Sequence, residues 1–217
     1  MNDAINHHLT DALLMSYAAG SLEEGFSLVV ATHVSLCDDC RARLESFEAV
    51  GGTLVEECDE AAMGSDALEA TFALIDASPV AETSPRMSGK GSVFPSPLQD
   101  YVGGDLDKVR WRSVGGGVQQ AVLKTKGRSK VRLLSIPGGA EMPDHGHRGL
   151  ELTLVLKGAF EDEDGAFARG DVEIADEDVN HTPVAREGDA CICLAATDAP
   201  LRFKALIPRI AQPFLGI

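Results

Sequence analysis

Over the first 77 residues the apolar positions recur at helical spacing. In "LTDALLMSYAAGSL" (9–22), Leu13, Leu14 and Tyr17 form the apolar pattern, Thr10 stands where a helix is capped and Gly20 where one stops. "EEGFSLVVATHVSL" (23–36) opens on two acids, which the positive end of a helix dipole favours. "DDCRARLESFEAVGGTLVEEC" (38–58) repeats Leu44, Phe47, Val50 and Leu54 around a Gly pair. "SDALEATFALIDA" (65–77) opens on Ser65 and Asp66 and closes before Pro79. The pattern predicts four short helices. Residues 78–92, "SPVAETSPRMSGKGS", are rich in Ser, Pro and Gly with no period, which is the signature of a flexible linker. Beyond it the runs shorten to strand length: "KVRWRSV", "QQAVLK", "KVRLLSI", "ELTLVLKGAF", "DVEIA", "ACICLAA" and "LRFKALI". Gly, Asp and Pro punctuate them, as in an all-β barrel or sandwich. Two domains are expected, α followed by all-β: helices over 1–77, a linker over 78–92 and a β domain over 93–217.

Composition adds little to this picture until charge is mapped along it. An apolar content of 44% fits a soluble globular chain. The longest apolar stretch, "FSLVVATHVSLC", is interrupted by Ser, Thr and His and falls short of the roughly 18 residues of a membrane span. The N-terminus lacks the basic region and cleavage site of a signal peptide, so a cytoplasmic protein with no membrane partner is expected. Five Cys are then reduced thiols or metal ligands. Residues 1–80 hold 15 acidic and two basic residues, a net −13, and the remainder 19 and 17, a net −2. Nucleic acid is repelled by such a surface and is excluded as a direct partner of the helical part. The acidity itself has two readings, a solvated surface or a face that docks on a basic protein, and charge alone favours the first.

Candidate chemistry changes that balance. "HVSLCDDC" places His33, Cys37 and Cys40 at H-x3-C-x2-C spacing. On one helix they fall on one side, and if the helix breaks near Cys37, with Asp38 or Asp39 capping the next, the C-x2-C turn still gathers both sulfurs. Zinc takes thiolate and imidazole ligands in tetrahedral sets. A fourth ligand is needed, and His7 and His8 lie one helix earlier, where an antiparallel pair would return them to His33. A core His beside buried Cys would use the same residue types; three at metal spacing with a spare His favour the metal.

A His near the N-terminus followed by H-x3-C-x2-C in an acidic four-helix domain resembles the zinc-binding anti-sigma factors. Residues 5–52 resemble the ChrR anti-sigma factors of photosynthetic and marine alphaproteobacteria in particular. The resemblance implies His8 as the first ligand, with His33, Cys37 and Cys40. It also implies a 1:1 complex with an extracytoplasmic-function sigma factor, whose basic surfaces would meet the acidic helices. The zinc would be structural, fixing helix directions in a domain too small to rely on its core.

The β domain carries a second motif. "GAEMPDHGHRGLELTLVLKG" (139–158) matches the first cupin motif, G(x)5HxH(x)3E(x)6G, at Gly139, His145, His147, Glu151 and Gly158. His-x-His on a strand presents both rings on one face, and the next antiparallel strand brings Glu151 alongside. His181 stands where the second cupin motif places its His. That motif is otherwise altered: Gly170 fits, but Asp176, Asp178 and Ala185 replace its Pro, Gly and Asn, which puts the loop before His181 in doubt. Three His and one Glu suit zinc or another first-row divalent ion. Cupins include enzymes and sensors, so the fold does not decide between them. The ChrR resemblance implies a zinc-bearing cupin needed to release the sigma factor under singlet-oxygen or organic-peroxide stress, and no enzyme. The alternative is a cupin metalloenzyme, dioxygenase-like, with an appended zinc interaction domain.

Other residues weigh less. Cys191 and Cys193 share a strand face, either as buried thiols or as an oxidisable pair. Cys58 stands alone, Trp111 reads as barrel packing, and "VGGGV" (114–118) lacks the Lys of a phosphate loop and reads as a turn.

Overall fold

The computed structural model describes residues 4–78 and 91–200, with the backbone alone at 202–203. The four foreseen helices are present: α1 (Asp11–Ala18), α2 (Glu24–Val34), α3 (Asp38–Glu56) and α4 (Ala67–Ala77). Thr10 caps α1 by accepting from the Leu13 N–H at 3.3 Å. A fifth helix, α5 (Ser96–Val102), was not foreseen, although Pro97 in its first turn and Gly103 at φ 82° just after it are the usual start and stop signals. The centre of the expected linker, 79–90, lies outside the described residues.

The β half holds a six-stranded antiparallel sheet, with strands numbered in chain order. Its spatial order is β1 (Arg112–Gly115), β2 (Val118–Leu123), β3 (Lys130–Ile136), β11 (Cys191–Thr197), β5 (Glu151–Lys157) and β8 (Val172–Ala175). Two three-stranded sheets complete the cupin: β10 (Val184–Ala185), β6 (Ala159–Glu161) and β7 (Ala166–Ala168), then β12 (Arg202–Phe203), β4 (His145–Gly146) and β9 (Asn180–His181). Two expected strands differ in extent. The first begins at Arg112 rather than Lys108, which ends a short 3-10 turn. The run 151–160 breaks at Gly158, whose φ of 73° and approach to Cys191 Cα, 3.0 Å from where a Cβ would sit, admit glycine alone. "LRFKALI" lies outside the described residues except for β12. Gly116 and Gly117 of "VGGGV" form the β1–β2 turn, and Gly115 closes β1.

The large sheet is covered on both faces, which explains why its central strand β11 is buried at all seven positions. Cys191 and Cys193 face the barrel interior with Val155, Phe160 and Phe167. Ile192, Leu194 and Ala196 face the helices and share one core with Leu14, Val29, Val30 and Leu44. The helical part is therefore packed on the barrel and not merely tied to it. α2 lies between the two, burying Phe26, Leu28, Val29, Val30 and His33, as a helix that is apolar around most of its girth must. Its N-terminus is held by the β2–β3 loop and by α5: Glu23 accepts from the Ser129 N–H at 2.9 Å, and Glu24 from the Lys126 N–H and the Tyr101 hydroxyl. Among the described residues no helix is long and apolar enough to cross a membrane.

Candidate metal centres

The first centre is assembled from chain ends that local geometry holds in place. His8 lies in the extended segment before α1, His33 in the last turn of α2, and Cys37 and Cys40 at the start of α3. The helix does break before Cys37, but the cap of α3 is Cys37 itself and not Asp38 or Asp39: its Sγ accepts from the Cys40 N–H at 3.4 Å. One ligand atom from each of His8, His33, Cys37 and Cys40 lies within 4.8 Å of the others. His7 points elsewhere, its ring 4.2 Å from that of Phe167. Bonds of about 2.0 Å to nitrogen and 2.3 Å to sulfur give a tetrahedral ion N–S edges of about 3.5 Å. His8 Nδ1 stands 3.2 Å from Cys37 Sγ and 3.6 Å from Cys40 Sγ.

His33 shows the fit most directly. Its Nδ1 donates to the Gly170 carbonyl at 2.9 Å, which leaves Nε2 as a bare lone pair, buried and without a hydrogen-bond partner. Burial brings its pKa down to about 4, so the ring is neutral and ready to ligate. Burial also pushes the Cys40 thiol up to about 11, so a thiolate there needs a cation in contact with it. Arg43 braces the segment around His8, donating to the Leu9 carbonyl at 3.0 Å and to Asp11.

The second centre is a product of strand pairing. β4 and β9 are antiparallel with His145 directly opposite His181. His181 Nε2 stands 3.2 Å from His145 Nε2 and 3.3 Å from His147 Nε2, and all three rings are buried. Those separations match the edge of about 3.3 Å that a tetrahedral ion with 2.0 Å bonds imposes on nitrogen ligands. His145 Nδ1 donates to the Pro143 carbonyl at 2.8 Å, so Nε2 is the nitrogen turned to the cluster. His181 Nδ1 is gripped by two carboxylates, Asp162 at 2.8 Å and Glu173 at 2.7 Å. Burial opposes charge on His181, but Glu173 and Asp162 outweigh it and hold its pKa up to about 9.

Glu151, expected among the histidines, stands one step away. Its carboxylate lies 3.5 Å from His147 Nδ1 and accepts from the Thr153 hydroxyl at 3.1 Å, and the cluster of converging ligand atoms is His145, His147 and His181. The altered motif before His181 has its own support: Asp176 accepts from the Asp178 N–H at 3.0 Å, an Asx turn in place of the missing Pro and Gly. Cys191 and Cys193 have their sulfurs 3.5 Å apart, and the hydrogen bond to Cys191 together with burial keeps the Cys193 thiol protonated. Trp111 is half-buried against the shared core, and Cys58 is exposed.

Asp162 and Glu173 were missed at the sequence level. Glu173 lies between Val172 and Ile174 in "DVEIA", where alternation reads it as a solvent-facing residue. The second face of this sheet is instead the barrel interior, and burial raises the Glu173 pKa to about 7.

Helices with a His/Cys cluster that could hold a metal, packed on a cupin with a three-histidine cluster, set this chain apart from an isolated cupin. A family model described as the ChrR cupin-like domain matches residues 99–200. The chain is 56% identical to the anti-sigma-E factor ChrR of Cereibacter sphaeroides, over 98% of this chain and 99% of that one. The crystal structure of Rhodobacter sphaeroides SigE in complex with the anti-sigma ChrR superposes with a TM-score of 0.79 at 55% identity, covering 90% of this chain and all of that one. The chain belongs to the ChrR family of anti-sigma factors.

Proposed function

We propose that this chain binds and inhibits an extracytoplasmic-function sigma factor in a 1:1 complex in the cytoplasm, and releases it under singlet-oxygen or organic-peroxide stress received by the cupin. The observation that carries the binding half is an apolar surface that stays exposed among the described residues. Val50, Leu54 and Val55 on the second half of α3 and Leu68, Phe72, Leu74 and Ile75 on α4 are all exposed, and α4 buries no residue. This surface sits in the strongly acidic third of the chain, a combination suited to a basic partner with an apolar groove. The relative crystallised with SigE supports a sigma factor as the occupant.

His8, His33, Cys37 and Cys40 would hold a structural zinc that ties α2 and α3 to the N-terminal segment. His145, His147 and His181, together with Glu151 beside His147, would hold zinc or another first-row divalent ion. There the ion supplies the positive charge that lets three imidazole lone pairs converge. The residues around it are spent on holding those rings, which favours a receiver of a signal over a catalyst. A test mixes the purified full-length chain with the extracytoplasmic-function sigma factor of the same genome and follows the complex by size exclusion, with and without a singlet-oxygen generator. A 1:1 complex that dissociates on exposure is expected, and His145→Ala should bind but fail to release. No complex at micromolar concentration would sink the sigma reading, and turnover of a small molecule by the iron- or manganese-loaded chain would establish the metalloenzyme instead.

A further inference from the structure

Four consecutive residues touch both metal centres. The Gly170 carbonyl accepts from His33 Nδ1, fixing the tautomer of a helical-centre ligand. The Asp171 carboxylate accepts from the Asn6 N–H at 2.7 Å and the His7 N–H at 2.9 Å, and the Val172 N–H donates to the His7 carbonyl at 3.2 Å. These bonds dock the extended segment that carries His8 against the start of β8. Glu173, the next residue, sets its carboxylate 2.7 Å from Nδ1 of His181 in the cupin centre, beside the Asp162 carboxylate that is hydrogen-bonded to the same nitrogen. Asp171 is buried and also accepts from the Ala168 N–H, so the turn is rigid, and Gly170 at φ 95° abuts the Ile5 side chain too closely to admit a Cβ.

We infer that the stretch Gly170–Glu173 positions ligands of both metal centres, so that the state of either centre shifts the metal affinity of the other. A carboxylate behind a ligating imidazole sets its orientation, and its loss weakens metal binding. Because both sets of contacts are made by four consecutive residues, displacing Glu173 moves the groups that hold His33 and His8. Coupling between two sites is reciprocal by linkage. The inference rests on both centres holding metal and not on which stress is received.

The test loads the full-length chain with cobalt and follows its loss to a chelator. Thiolate-to-cobalt absorption reports the Cys37/Cys40 centre, and the remaining cobalt reports the cupin. Glu173→Ala should weaken the cupin centre roughly 10- to 100-fold and speed loss from the distant helical centre about fivefold. Glu173→Gln keeps an acceptor for His181 and should restore wild-type behaviour at both. Asp171→Ala should speed loss at the helical centre and weaken the cupin, and adding Glu173→Ala to it should change the helical centre little further. Glu173→Ala that damages only the cupin overturns the inference. So does equal damage by the Gln variant, or full multiplication of the two effects, which would assign the coupling to the shared apolar core.

Discussion

Helices α2 and α4 are both eleven residues long and both mostly apolar, "EGFSLVVATHV" and "ALEATFALIDA". α2 disappears between the other helices and the large sheet, whereas α4 buries none of its side chains. The difference lies in what surrounds them. α2 is clamped at both ends, by Glu23 and Glu24 on the β2–β3 loop and by His33 on Gly170, and its apolar girth completes a core. α4 follows a stretch of α3 that has itself run past its support: beyond Phe47 its apolar residues Val50, Leu54 and Val55 are exposed. Apolar content therefore marks a surface to be buried, but not whether the chain or a partner buries it.

The largest effect on the fold is expected from α2. Val29 is fully buried at the junction of helices and sheet. Val29→Asp should destabilise by at least about 4 kcal/mol, since it buries an unpaired charge, and Val29→Ala by about 2 kcal/mol through the cavity left behind. Trp111 is the sole tryptophan and sits in the β half, half-buried against the shared core, so its fluorescence reports that core from the β side. If α2 makes the two halves one core, the urea midpoint seen by Trp111 falls in Val29→Ala. An unchanged Trp111 midpoint would restore the picture of a helical domain on a tether.

Sequence patterning located the four helices, most of the large sheet and the family, because each rests on local spacing: Thr10 and Gly20 for α1, H-x3-C-x2-C for the first ligands, H-x-H for the cupin. What escaped it depends on tertiary placement. "FSLVVATHVSLC" reads as an amphipathic or buried helix equally well until the sheet beneath it is known. "ACICLAA" reads as a continuous apolar run, and only the two covered faces of β11 decide that the cysteines look into the barrel. Glu173 and Asp162 were invisible for the same reason, as an acidic residue in a strand is normally wet. Helix α5 carries its own local signals in Pro97 and Gly103 but is too short to show a helical period.

A smaller effect is expected at the docked end of α2, and it carries a pH signature. The Ser129 N–H bonded to Glu23 holds that carboxyl below its ordinary value of 4.5. A depressed folded-state pKa stabilises above the unfolded value and loses that contribution as pH falls through the folded one. Glu23→Gln should therefore lower the Trp111 midpoint slightly at neutral pH, and the gap from wild type should close as the pH drops below about 4.5. A gap that stays constant across that range would mean the carboxylate charge has no part in docking α2.

The smallest effect on the fold should come from α4, and there the comparison becomes sharpest. Phe72 is 57% exposed and Leu68 is 63% exposed, so replacing either removes little that folding gains. Phe72→Glu should shift the unfolding free energy by no more than about 0.5 kcal/mol, the usual range for exposed positions. The same substitution places a charge in the middle of the apolar face left open by α3 and α4, and a large aromatic there has the character of an interface anchor. Loss of such an anchor weakens binding by about 2 kcal/mol or more, which is roughly 30-fold in affinity. Titrating the sigma factor into wild-type and Phe72→Glu chains, with urea melts on the same samples, measures both quantities. A variant that melts early would show that α4 packs within the chain in solution. One that melts normally and still binds at wild-type affinity would leave the exposed stripe without a partner and move the sigma contact to another face of the helices.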